Sequence, residues 1–513
     1  ALGKVTVREA VAWSADREKY FTLMKELAAI EKQLTPPAQR TSARLISALP
    51  PQVAVYMGLP NLGPTMEQAV TLIEQRTREN STLHEWWNSP GSADLKALAA
   101  KMQQVTPLLG EEIAFALVKP QMPLVMAEVK PGKEAELEAQ LKIVLPKEAA
   151  LRFHNGLALI SKSSAALDAI APGMGQGAAT PFGKELAARY ARGVKWILGA
   201  DLETIGLPAE ANRVMGQTPP RYAFLEQRTV EGNEENEATV LFAGPRTGVA
   251  AWLAEPGSAG SAEYASADAV AVVSAATRNP RQIMEELEKM VPSFAGKLDE
   301  IEREAGVNVR NDIASALGTD FTVSVETAAV PIPGWFAAVE VYQPTTLNTA
   351  LTRFAEAYNR EAGSERKLAM TQETIEGRQW NSLTMSGVGL HWTFDRGYWI
   401  VAMDRAVAMR AIATRSGGFP LVRSSRFKAE MPTLAGLHPS GFVWFHTGPA
   451  AEALAQSATS PELKRVLASS EPSLTTINGE TERIQIASRR RLTSFLMDTM
   501  LLAGGKKNDE RSH

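Results

Sequence analysis

At 513 residues the chain is too long for one hydrophobic core, and its 45% apolar and 22% charged residues are ordinary globular proportions. A net charge of −3 makes no electrostatic case for nucleic acid or for an anionic membrane surface, and no run approaches the ~20 apolar residues that cross a bilayer. The absence of cysteine excludes disulfides, cysteine nucleophiles, iron–sulfur clusters and thiolate zinc sites, and it fits a chain exported to an oxidising space.

Residues 1–44 read as a strand followed by an amphipathic helix. Val5-Thr6-Val7-Arg8-Glu9-Ala10-Val11 looks like the last strand of something upstream, so the chain is expected to be a processed or truncated fragment whose address signal precedes it. Ser14 suits an N-cap and Asp16 the first turn of the helix. Tyr20, Leu23, Met24, Leu27, Ile30 and Leu34 then form one apolar stripe, stopped by Pro36-Pro37. The stripe fits docking on its own chain better than a partner interface.

From there the second half repeats the first. Residues 45–257 form one expected lobe and 258–513 the other, the second ending in a polar C-terminal tail. Val53-Ala54-Val55-Tyr56-Met57 matches Val270-Ala271-Val272-Val273-Ser274, each followed by a proline turn and a helix. Leu109-Gly110-Glu111-Glu112 matches Leu317-Gly318-Thr319-Asp320, and Val125-Met126-Ala127-Glu128-Val129 matches Ala337-Ala338-Val339-Glu340-Val341. Gly156-Leu157-Ala158 matches Gly397-Tyr398-Trp399, Phe182-Gly183-Lys184 matches Phe427-Lys428-Ala429, and Gly193-Val194-Lys195-Trp196 matches Gly441-Phe442-Val443-Trp444. Each half closes with a hairpin and a helix, the hairpin turning at Glu231-Gly232-Asn233 and at Asn478-Gly479.

The predicted fold class is therefore α+β, internally duplicated: two tandem lobes, each a mainly antiparallel sheet with helices packed on one face. The second lobe alone carries an extra hairpin at 366–394, turning at Glu376-Gly377-Arg378. It is expected to project, with Trp380 or Trp392 partly exposed. Trp380, Trp392 and Trp399 are the candidates for a ligand-facing cluster, although core packing is the commoner fate of such residues.

Catalytic signatures are hard to find. None of the six histidines shows metal spacing, and His84-Glu85-Trp86-Trp87 lacks the second histidine of a zincin. Gly173-Met174-Gly175-Gln176-Gly177 follows a helical pattern rather than a strand, so it reads as a connector and not as a dinucleotide loop. Glu111 and Glu112 are adjacent on a strand and point to opposite faces, so they cannot work as a facing pair. Glu128 and Glu340 sit at matching places in apolar strands. A carboxylate there can act as acid or base with a raised pKa, but a place on the solvent face of a half-covered sheet is the favoured reading.

Ala12-Trp13-Ser14, Leu49-Pro50-Pro51-Gln52-Val53-Ala54-Val55-Tyr56, Leu59-Pro60-Asn61-Leu62-Gly63 and Trp86-Trp87 resemble the downstream region, of unknown function, in bacterial exported proteins that carry an N-terminal FecR-type domain. The resemblance covers under a fifth of the chain and transfers no catalytic residue. It implies a periplasmic or extracytoplasmic protein, anchored through an N-terminal region upstream of this chain.

The expected function is a non-enzymatic, envelope-associated binding or scaffold role, with another envelope protein as partner. The alternative is a carrier or receptor for an apolar small molecule held between sheet and helices. An enzyme whose site forms only in space comes third. No metal, cofactor, nucleic acid or transmembrane segment enters any of these readings.

Overall fold

The computed structural model describes residues 17–42, 44–119, 121–208, 216–327, 333–362, 366–385, 388–446, 448 and 471–489. The strand expected at 5–11, the Ser14 cap, the closing helix of the second half and the C-terminal tail lie outside these residues. The protein is a mixed α and β structure with eighteen strands among the described residues, and every registered strand pair is antiparallel.

The chain divides into two compact units. One runs to Gly206 and includes Arg221–Ala238; the other holds Leu207–Pro220 and Thr239–Arg489. The division therefore falls near 238, inside a strand, and not at the expected 257.

The first unit comprises α1 (Arg17–Glu31), β1 (Val53–Pro60), α2 (Gly63–Arg76), α3 (Ser81–Trp87), α4 (Pro90–Val105), β2 (Leu109–Val118), β3 (Met122–Val129), α5 (Glu134–Val144), β4 (Ala150–His154), β5 (Leu157–Ser161), α6 (Ser164–Ile170), α7 (Pro181–Ala191), β6 (Trp196–Asp201), β7 (Pro220–Val230) and β8 (Asn233–Phe242). Side chains of Asn80, Ser163 and Thr180 accept backbone N–H groups at the starts of α3, α6 and α7. The apolar stripe of α1 packs on its own chain: Leu23 and Ile30 are buried with Ile73, Leu83, Trp86 and Trp87. The strands lie in the order β4-β5-β3-β2-β1-β6-β7-β8. Glu231 and Gly232, both at positive φ, turn β7 into β8. After β8 comes one 3₁₀ turn, Gly248–Ala251, where a helix was expected.

The second unit comprises β9 (Ala271–Ala276), α8 (Pro280–Met290), α9 (Pro292–Ala305), β10 (Leu317–Thr327), β11 (Gly334–Val341), α10 (Pro344–Glu361), β12 (Ala369–Ile375), β13 (Arg378–Met385), β14 (Val388–Asp395), β15 (Tyr398–Ala402), α11 (Arg405–Gly417), α12 (Ser425–Glu430), β16 (Gly441–Phe445), β17 (Ser473–Glu480) and β18 (Arg483–Ser488). Its strand order is β12-β13-β14-β15-β11-β10-β9-β16-β17-β18. From β14 onward this is the same order as in the first unit. The hairpin β12–β13 lies beyond it, as the outer edge.

Three expectations need correction. Helices cover both faces of each sheet, not one. In the first unit α5 packs Leu137 and Leu141 on Ala127, Val129 and Ala158, while α6 meets β5 from the side of Leu124 and Leu159. In the second, α11 lies over Phe336, Ala338, Ile400 and Ala402, and Leu347 of α10 packs with Val341 and Trp399 on the other side. The sign was present: β5 and β15 are continuous apolar runs, the pattern of strands buried on both faces.

Asn478-Gly479 is not a turn. Both residues lie within β17, and the chain reverses between Glu480 and Arg483. The Asn478 amide is buried, accepting from Ser440 N (3.2 Å) and donating to Ala435 O (3.0 Å). A Cβ at Gly479 would lie 2.9 Å from an Arg246 nitrogen and 3.0 Å from Ala254 O, so close packing rather than turn geometry asks for glycine.

Two of the matched blocks also shift. Met57 stands opposite Phe115 and Leu198, whereas Val273, not Ser274, stands opposite Val323 and Val443. Leu198 thus corresponds to Val443, and Trp196 and Trp444 are not counterparts.

Candidate functional site

Glu128 and Glu340 each bridge a bulge. The β2–β3 register breaks between Leu109 and Ile113, and the β10–β11 register between Leu317 and Phe321. Glu128 accepts the Glu111 N–H at 3.2 Å, and Glu340 accepts the Thr319 N–H at 2.9 Å. These donors are freed from the ladder by the extra residues of the bulge. A Cβ at Gly110 would fall 2.7 Å from the Glu128 carboxylate, and one at Gly318 would collide with that of Glu340. Both glutamates are half-buried and hold backbone. That is a structural task, distinct from the acid–base and solvent-face readings.

The three tryptophans do not form one cluster. Trp380 is 1% exposed, lies in the core beneath α11, and has the Arg405 guanidinium 5.9 Å from its ring centre. Trp392 is 2% exposed and donates its indole N–H to Asn348 of α10 at 3.1 Å. Trp399 is half-buried against Leu347, Leu351 and Phe394. Register puts Trp392 opposite Val401, on the face of Trp399, and leaves Trp380 on the other face. The expectation of a partly exposed Trp380 or Trp392 is therefore wrong. The hairpin extends the sheet edge and is also roofed, because α10 and α11 reach past the shared strands to cover its base. On the Trp380 face, Ser382 Oγ and His391 Nδ1 are 2.7 Å apart. Burial, then the nearby Arg405, pushes the imidazole below its usual range. Ser382 is 3% exposed, so this hydroxyl is not presented to a substrate.

Sequence reasoning missed two buried acids. Glu112 and Asp320 occupy the same place, two residues beyond the bulge glycine, and both point into the closed face. The Glu112 carboxylate lies 2.9 Å from Arg40 Nη1 and accepts from the Tyr190 hydroxyl, which is itself 3.0 Å from the Tyr56 hydroxyl. Burial pushes the Glu112 carboxyl above its ordinary range; Arg40 opposes the shift without cancelling it. Burial and the adjacent carboxylate raise Tyr190 as well. Asp320 accepts from Ser261 N (2.8 Å), Ser261 Oγ (2.5 Å) and Tyr398 OH (2.8 Å). Each carboxylate is 7% exposed or less and is tied to its own chain. The signal was in the sequence: if Glu111 and Glu112 face opposite ways, one of them faces the core.

The opposite face of each sheet is open beyond the helix that covers its β3 or β11 end. In the first unit a cross-strand row runs Val125–Phe115–Met57–Leu198–Leu225. In the second the corresponding row runs Ala337–Val323–Val273–Val443–Thr475. Phe115 is 43% exposed, Leu225 37%, Val323 40%, Val273 44% and Val443 49%. At a strand spacing of about 4.8 Å, each row is about 19 Å long. Phe445, 47% exposed, widens the second patch.

Among the described residues no three His, Asp or Glu side chains stand close enough to hold a metal ion, and no helix is long and apolar enough to cross a membrane. No family model matches the chain, and neither a curated protein nor a solved structure is similar to it.

Proposed function

We propose that the chain is a non-enzymatic binding or scaffold protein of the cell envelope, built by internal duplication, which binds a partner protein through the open apolar sheet faces. The observation that carries this reading is the pair of contiguous apolar rows. Isolated exposed apolar residues are normal on a protein surface, but apolar rows continuous across five strands in the first unit and four in the second mark interaction sites. Duplication is supported by the common strand order, the common bulge with its glycine and glutamate, and the buried acid beyond it. The envelope address rests on the resemblance to FecR-domain proteins and on the absence of cysteine.

The carrier reading needs a larger cavity than the one under α6. The cleft under α6, lined by Leu124, Leu159, Leu167, Ile170 and Met174, holds ≈ 80 Å³, whereas ligand pockets are typically about 300–1,000 Å³.

Chemical cross-linking in an envelope fraction tests the proposal. Wild type should yield a discrete adduct that Val323→Lys with Val443→Lys removes while leaving the melting temperature unchanged. The same adduct from both proteins, or turnover by the wild type in a broad activity screen, would sink it.

A further inference from the structure

Strand β12 is the outermost strand of the second unit, and among the described residues it pairs with β13 alone. Its seven residues run without a bulge. Ala369, Thr371, Gln372, Glu373 and Thr374 are exposed, so both faces of the strand meet solvent. Such an edge offers a row of free backbone donors and acceptors. Proteins usually blunt it with proline, lysine or a bulge, and 369–375 contains none of these. The edge of the first unit, β4, has five residues and carries Arg152 and His154.

The edge is also anchored to the core. Trp380 and Trp392 are buried behind it, Ser382 pairs with His391, and Glu373 of β12 is bonded to Arg405. A preformed template loses little entropy on pairing.

Its charge is polar along its length. Arg366 and Lys367 precede the strand; Glu373 and Glu376 lie at its far end. All four are exposed. An antiparallel copy of the same strand brings the basic end of each against the acidic end of the other.

We infer that β12 is a self-association edge, pairing antiparallel with β12 of a second copy of this chain about a two-fold axis at Thr371. In this register Thr371 faces the partner's Thr371, Met370 faces the partner's Gln372 and Glu373 faces the partner's Ala369, and just beyond the strand ends Arg366 and Lys367 of each copy lie on the side of the partner's Glu376. No like charges are opposed, and a Thr–Thr pair occupies the centre, which favours the pairing. The contact is isologous and closes at two copies. It is independent of the apolar faces.

Sedimentation velocity of the full chain over a wide concentration range tests this. Wild type should pass from monomer to dimer. Arg366→Glu should move the midpoint to at least about tenfold higher concentration, because two attractions become two repulsions. Adding Glu376→Arg to that variant restores opposite charges and should restore the dimer. Thr371→Lys places like charges on the axis and should give monomer. These side chains are exposed, and unchanged circular dichroism of each variant separates lost pairing from lost fold. A wild type that stays monomeric at all concentrations overturns the inference, as does a dimer indifferent to Arg366→Glu and Thr371→Lys.

Discussion

Replacing Arg40 by methionine isolates a buried charge pair in the first unit. Arg40 and Glu112 are 6% and 4% exposed at the side chain and 2.9 Å apart. Methionine fills much of the arginine stem, so the loss is electrostatic. Two parts make it up. The bond from Arg40 Nη2 to Lys195 O (2.7 Å) disappears, worth about 1–2 kcal/mol at any pH. Glu112 is left as a buried carboxylate with no counter-charge and only the Tyr190 hydroxyl donating to it, which brings the total to about 3–5 kcal/mol.

The second part depends on pH, and its sign follows from the raised pKa of Glu112. A carboxyl whose folded-state pKa exceeds its unfolded value of about 4.3 favours the fold most at acid pH. That contribution fades as pH rises through the folded value. Without Arg40 the folded pKa climbs further, so the deficit against wild type is full at pH 7 and narrows towards pH 4.5. Urea unfolding at the two pH values measures it, and about 2–4 °C per kcal/mol for a unit of this size gives a fall in melting temperature of about 6–20 °C at pH 7. Adding Glu112→Gln removes the stranded charge and should recover most of the loss. A cost below about 1 kcal/mol at pH 7, or a deficit that does not shrink on acidification, would refute the electrostatic account.

Three further outcomes follow from the geometry. Gly318→Ala drives a Cβ into the Glu340 carboxylate and should cost about 1–3 kcal/mol, read by denaturant midpoint, while Gly296→Ala, where a Cβ meets open space, should not destabilise. Trp380→Ala empties a core position and should cost about 3–5 kcal/mol; a loss under about 1 kcal/mol would mean that the hairpin is an appendage, with no part in the core. His391 is held below its usual range by burial, so its folded form resists protonation and stability should fall as pH drops below about 6.5. His391→Gln should flatten that part of the curve, and an unchanged profile would remove His391 as its source.

What the sequence disclosed was order; what it concealed was register and coverage. Apolar blocks bounded by glycine are local features, so the succession of strands and the β12–β13 hairpin could be read directly. Register is set by partners far along the chain, and a slip of one residue exchanges the two faces of a strand. Aligning Met57 with Ser274 rather than Val273 made that slip, and it hid the fact that Met57, Phe115 and Leu198 lie in one row with counterparts at Val273, Val323 and Val443. Asn478-Gly479 shows the same limit: the dipeptide favours a turn locally, but Ser440, Ala435 and Arg246 decide its place. Trp380 and Trp392 looked dispensable because the first half lacks them, and nothing local announced that α10 and α11 extend far enough to bury both.

The size of the open faces sets how tightly they can bind. A fully buried large apolar side chain contributes about 1.5–3 kcal/mol. With about two-fifths of Val273, Val323 and Val443 still exposed, these three side chains of the second row have about 2–4 kcal/mol left to gain. Association costs an estimated 4–15 kcal/mol in lost translational and rotational freedom. One row by itself therefore falls short of a durable complex, and a partner held there should exchange rapidly. The expected behaviour is an adduct captured by cross-linking in place but lost on washing an affinity column. A partner that survives extensive washing would mean that contacts outside the row dominate the binding. Single lysine substitutions at Val273, Val323 or Val443 should then weaken it far less than the loss of about a third of the exposed apolar row implies.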